Sequence, residues 1–202
     1  MRTTRIYKGF MKRIWLARTL PLALTLAAYV FIMYMLVEGY YVPWSPDESG
    51  VIFYSKLFAQ SGTFRFDDDR ISNLTGQFSA LSFIPRHSVA VGDSLSPVQA
   101  VGVLVLGSLF YGVRPELLPF LPMFFGSIGI AFFYFLACQL TKERRVSAVC
   151  ASLLAFSPPY LTWSRFLFSN IIAFSFFIGG VLFYLRMLEK RKAASLECAI
   201  LF

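Results

Sequence analysis

Charged residues are scarce in this chain of 202 residues: Asp, Glu, Lys and Arg together make up 15%, against about 25% in soluble globular domains. With 57% hydrophobic and 18% aromatic residues, a water-soluble core is excluded and lipid is the expected main solvent. Histidine occurs once, at His87, and a single imidazole specifies neither a metal site nor a catalytic triad. Cys138, Cys150 and Cys198 lie in or near apolar segments without paired spacing, so no disulfide framework and no zinc site is indicated. No internal repeat and no low-complexity linker divides the chain, which therefore reads as a single membrane domain over 1–202.

What the sequence has instead is long apolar runs flanked by basic clusters. Its net charge of +8 comes from these clusters rather than from one polar face, which argues against a nucleic-acid partner and for membrane orientation. The stretch from Arg2 to Arg18 carries six positive charges and no acidic residue. Because the following apolar run lacks a small-residue cleavage signature, it reads as an uncleaved anchor with its N-terminus in the cytoplasm. Its uncharged part, Thr19 to Val37, is 19 residues long, close to the ~20 that cross the hydrocarbon core.

Three further apolar spans are long enough to cross, at about 117–141, 146–164 and 166–186, in addition to the first at about 19–38. Ala100 to Val113 is only 14 residues and is interrupted by Gly102, Gly107 and Gly112, a length that suits an interfacial segment. Charge bias favours that assignment. If Ala100 to Val113 does not cross, Lys142, Arg144 and Arg145 fall on the cytoplasmic side together with Arg186, Lys190, Arg191 and Lys192, as the preference of Lys and Arg for that side requires. The expected fold is an all-α membrane protein, a multi-pass transmembrane helix bundle in the cell membrane. Its long external first loop, about 39–116, contains surface-lying amphipathic helices. A fifth apolar segment is expected to begin at Leu196, so the chain reads as the N-terminal part of a larger module.

The external loop opens with Tyr40, Tyr41 and Trp44, aromatics of the kind found where a helix leaves the bilayer. Ser45-Pro46-Asp47-Glu48 follows, with Ser45 as N-cap, Pro46 at the first helical position and Glu48 completing a capping box. The predicted helix runs from Pro46 to about Gln60 with Gly62 as its stop. It buries Val51, Tyr54 and Phe58 while Lys56 and Gln60 face water. Asp47 stands in the first turn, where the helix dipole favours the ionised carboxylate that a general base needs. The plainer reading is that Asp47 and Glu48 only stabilise the helix start, and capping accounts for Glu48 better than for Asp47.

Other polar features carry less weight. Asp67, Asp68 and Asp69 between Arg65 and Arg70 read as a solvated loop, and Asn73-Leu74-Thr75 is a glycosylation sequon. Arg165 interrupts two apolar spans on the predicted outer side, where charge bias does not put arginines. Its planar fork of donors suits a phosphate at the membrane surface, and Arg114 offers a second such donor. For both, interfacial anchoring is the competing explanation.

Taken together, the first helix, the acidic pair opening PDESGVIFYSKLFAQSGTF and the later run Pro158-Pro159-Tyr160-Leu161-Thr162-Trp163-Ser164-Arg165 resemble the GT-C superfamily of polytopic glycosyltransferases. The likeness is greatest to the protein O-mannosyltransferase and aminoarabinose transferase branch and covers roughly Met1 to Lys192. The resemblance implies that Asp47 is the catalytic base, Glu48 its acidic neighbour, and Arg165, with Arg114 as a second candidate, the ligand of a phosphate. It also implies a polyprenyl-phosphate sugar donor, a lipid, glycan or protein acceptor, inversion at the sugar, and neither a cofactor nor an obligatory metal. The alternative is a non-catalytic multi-pass protein, a transporter fragment or assembly subunit. The interiors of the four spans lack ionisable residues, which counts against transport.

Overall fold

The computed structural model describes residues 20–37, 46–67, 88–91, 94–98 and 100–200. The basic stretch Arg2 to Arg18, the aromatics Tyr40, Tyr41 and Trp44, the cap Ser45, the residues Asp68, Asp69 and Arg70, the sequon at 73–75 and His87 lie outside the described residues.

Among the described residues, three helical stretches are long and apolar enough to cross a membrane, and a bent pair of helices over 144–165 makes a fourth if it counts as one span. The first is α1, Leu20–Val37. The second, Pro115–Thr141, begins as a 3-10 turn over Pro115–Phe120 and continues as the α-helix Leu121–Thr141. Pro119 lies inside that turn, and its missing N–H withholds one hydrogen bond where the chain tightens. The third is Ser169–Lys190, the apolar part of a longer helix.

The helix expected to open the loop after the first span forms as its sequence predicts. Helix α2 spans Pro46–Ser61, and Gly62 at φ +70° stops it with its N–H on the Phe58 carbonyl at 2.8 Å, a left-handed position that favours glycine. Val51, Tyr54 and Ser55 are buried while Lys56 and Gln60 are exposed. Helix α3, Val101–Val113, has 13 residues and is about 20 Å long, too short to cross. Helices α2 and α3 pack side by side. Gly107 makes this possible, because a Cβ there would collide with the Ser55 side chain; Ser55 Oγ donates to the Leu104 carbonyl at 3.3 Å.

The all-helical expectation for the segment around 39–116 needs correcting. Strands β1 (Phe66–Asp67), β2 (Ser88–Val91) and β3 (Ser94–Pro97) form a three-stranded antiparallel sheet in the order β1-β3-β2. Val91 pairs with Ser94, so β2 and β3, close in sequence, are neighbours in the sheet. Asp67 pairs with Ser94, so the acidic run starts in a strand rather than in a loop. Tyr54 Oη donates to Ser88 Oγ at 2.5 Å and ties α2 to this sheet.

Two expectations about the later spans also change. The stretch 146–164 is two helices rather than one. We number the 3-10-led helix Leu121–Thr141 as α4; α5, Arg144–Ala155, and α6, Pro158–Arg165, then follow with a bend of 57° between them. Ser157 before Pro158 is held extended at ψ 136° by the clash that a following proline imposes. Helix α7, Ser169–Ile200, runs through Arg186 to Lys192 and past Leu196, so the expected fifth segment continues this helix. Leu, Arg, Glu, Lys and Ala fill that stretch without Gly or Pro, and nothing local ends the helix there.

Helix α4 is the hub, packed against both α5 and α7. Small residues bring the helices close, as in other apolar bundles. Tyr160 Oη donates to the Gly126 carbonyl at 2.7 Å, and Ser175 Oγ to the Phe125 carbonyl at 2.6 Å. The Tyr29 hydroxyl of α1 and the Ser164 hydroxyl of α6 both converge on the open side of Gly126.

Candidate functional site

Glu48, in the first turn of α2, is 1% exposed. Its Oε1 accepts the backbone N–H of Leu167 at 2.9 Å, a bond between residues 119 positions apart. That N–H needs a side-chain partner because α6 ends at Arg165 and Phe166 is extended at ψ 140°, so no helical carbonyl is in reach. A carboxylate accepting from a buried amide makes a strong, charge-assisted bond. Glu48 therefore fixes the α6–α7 connection against the start of α2.

This contact shapes one wall of a cavity of about 330 Å³ lined by Asp47, Val51, Val103, Trp163, Phe168 and Asn170, among others. Asp47 is half-buried on its wall, and Asn170 is exposed in the first turn of α7. Trp163 is 41% exposed, with its ring centroid 5.7 Å from that of Phe168. A carboxylate, an amide and an indole thus line one hollow together with the aliphatic side chains of Val51, Val103 and Leu167. Such a set can abstract a proton, hold hydroxyl groups and support an apolar ring face.

No family model, no curated protein and no solved structure matches the chain. The chemistry of the site rests on its own geometry.

The four residues singled out from sequence are distributed unequally. Asp47 and Glu48 both reach the site, but only Asp47 lines the cavity, whereas Glu48 is taken up by Leu167. Arg165 is half-buried at the end of α6. It is two residues from Trp163, which puts it about 200° away around the helix and off the lining face. Arg114 is exposed at the C-terminus of α3, about 16 Å along the axis from Val103. Among the described residues no cluster of three or more His, Cys, Asp or Glu side chains could hold a metal ion.

Trp163 is the lining residue that sequence reading does not single out. Trp163 lay inside the run that carried the family likeness, yet only Arg165 was read from it. Asn170, five residues after Arg165, is exposed at the start of α7 and lines the cavity. Tyr54 braces the site from behind through Ser88, and its burial pushes the phenol above its ordinary pKa.

Proposed function

We propose that this chain is a multi-pass membrane glycosyltransferase module of the GT-C kind, in the cell membrane with its N-terminus in the cytoplasm. It moves a sugar from a polyprenyl-phosphate donor to an acceptor hydroxyl on a lipid, glycan or protein at the external face. The observation that carries this reading is the position of Asp47 on the wall of a cavity it shares with Trp163 and Asn170. The exposed apolar side chains of Val101, Leu109 and Val113 on α3 support an interfacial position for the site, since a short helix with such a face rests on lipid.

In this reading the acceptor oxygen loses its proton to Asp47 as it bonds to the anomeric carbon. The bond from that carbon to the phosphate oxygen breaks, and polyprenyl phosphate leaves from the opposite face, inverting the centre. The cavity is at the low end of small-molecule sites, roughly 300–1,000 Å³. That size suits one sugar ring, with the polyprenyl chain left in lipid. Trp163 supplies the surface for the ring, and Asn170 donors and acceptors for its hydroxyls. Arg165, at the end of the helix that carries Trp163, is the cation proposed for the departing phosphate, whose growing charge a guanidinium stabilises. Glu48 acts as a positioning residue.

The deciding experiment is transfer from a radiolabelled polyprenyl-phosphate sugar in proteoliposomes. Asp47→Asn retains shape and removes the base, and turnover is expected to fall by at least about a hundredfold. Transfer at the wild-type rate would reject the role of Asp47 and leave the acidic pair as a purely structural feature of α2.

A further inference from the structure

A second hollow lies away from Asp47, between α1 and α5. It is a groove of about 570 Å³ bounded by Pro21, Thr25, Ala148, Ser152, Leu153 and Ser157, among others. Its hydroxyls have partners within the protein. Thr25 Oγ1 donates to the Pro21 carbonyl at 2.9 Å, and Thr25 and Ser152 share a bond at 2.9 Å. Ser157 Oγ donates to the Leu154 carbonyl at 2.9 Å. The groove therefore asks no hydrogen bond of an occupant, and hydrocarbon fits it best. Val149 and Leu153, 58% and 69% exposed, form its open rim.

Its length and its charged end narrow the choice. From Ala148 to Ser157 the wall extends about 14 Å, close to half of a ~30 Å hydrocarbon core and so about one leaflet deep. Its lining ends at Phe156 and Ser157, where α5 gives way to the bend before α6. At the other end Arg144 and Arg145 precede Ala148 and Val149 by one turn, on the same faces of α5. Both arginines are exposed, and side chains lean toward the helix N-terminus, which carries these cations past the mouth of the groove. Glu143 is the one acid beside them in sequence, while Lys142 and Glu189 pair with each other at 3.4 Å.

We infer that this groove binds an anionic phospholipid, with one acyl chain between α1 and α5 and its phosphate on Arg144 and Arg145. Basic mouths between membrane helices select anionic headgroups in this way. The inference needs only that α1 and α5 lie in a bilayer and is independent of sugar transfer.

The test uses the whole chain, delipidated in mild detergent and offered phosphatidylglycerol or phosphatidylcholine with identical chains, with retained lipid counted by native mass spectrometry. One phosphatidylglycerol is expected to be retained, at least tenfold in preference to phosphatidylcholine. The double variant Arg144→Gln, Arg145→Gln is expected to lose that preference, and Ala148→Leu to lower retention of the lipid by filling the groove. Equal retention of the two lipids, or an unchanged preference in the double variant, would overturn the inference. Phosphatidylglycerol with a photoreactive acyl chain gives a readout on the wild-type chain alone. Labelling within 148–157 supports the site, and labelling confined to other segments overturns it. Disulfide formation between two copies carrying Val149→Cys in a native-like bilayer would assign the groove to a second copy of the chain instead, again overturning the lipid site.

Discussion

Glu48 Oε1 and the Leu167 amide, 2.9 Å apart, join the first turn of α2 to the connection between α6 and α7. The neighbouring carboxylate, Asp47, lines the cavity that this junction helps to enclose. Two acidic residues adjacent in sequence thus take different positions, one on a backbone amide and the other on a cavity wall. Helical geometry separates them, since successive side chains point about 100° apart.

Removal of the Glu48 carboxylate leaves a buried N–H unpaired. Glu48→Ala is expected to destabilise the fold by about 1–3 kcal/mol, and Glu48→Gln, which keeps a carbonyl acceptor, by less. Thermal unfolding in detergent measures both. Equal stability of Glu48→Ala and wild type would show that the bond to Leu167 does not hold the connection.

For Trp163 the sugar-transfer reading makes a kinetic prediction. Loss of a stacking surface is worth roughly 0.5–1.5 kcal/mol, so Trp163→Ala is expected to raise KM for the donor or acceptor sugar about three- to tenfold, with Trp163→Phe largely restoring it. Unchanged KM values for Trp163→Ala would remove the indole from recognition while leaving Asp47 to its own test.

Close packing around α4 gives a prediction that needs no function at all. A Cβ on Gly129 would lie 2.7 Å from both Ser175 Oγ and Tyr160 Oη, and one on Gly126 would collide with the Tyr29 hydroxyl. Gly126→Ala and Gly129→Ala are each expected to cost about 1–3 kcal/mol through overpacking. Gly180 has nothing within 4 Å of its open side, so Gly180→Ala serves as the control and is expected to lose no stability. A like effect at all three positions in thermal unfolding would contradict the packing described.

Tyr54 adds a pH dependence. Its phenol is raised by burial above the ordinary value, so the folded state holds that proton more tightly than the unfolded chain. The corresponding stability is complete below about pH 10, the ordinary tyrosine value, and is lost as pH rises through the folded value. The stability difference between wild type and Tyr54→Phe is therefore expected to shrink between pH 8 and pH 11. A difference independent of pH would mean that Tyr54 is not shielded from water.

Much of the architecture was legible because its causes are local. The uncharged lengths of α1 and of Pro115–Thr141 mark them as able to span, and the shortness of Val101–Val113 marks it as unable to. Gly62 announces the end of α2 by its own conformational freedom. The Ser157-Pro158-Pro159 break was equally local, yet hydropathy concealed it, since a window of apolar residues reads the same whether the helix is straight or bent. The small sheet was missed for another reason. Its strands are at most four residues long, and Ser-Val-Ala-Val shows too little alternation to stand out before its pairing is known.

Residue order alone determined where apolar segments begin and end, how far each can reach, and which carboxylates open α2, because hydropathy, proline geometry and helix rise act on neighbours in the chain. Only the folded arrangement decided that Glu48 bonds to Leu167 while Asp47 lines a cavity, that Trp163 lines it too, and that Arg114 stands a helix length away. Those outcomes depend on burial and hydrogen bonding between segments more than a hundred residues apart, and such contacts leave no periodic trace in the sequence of either partner.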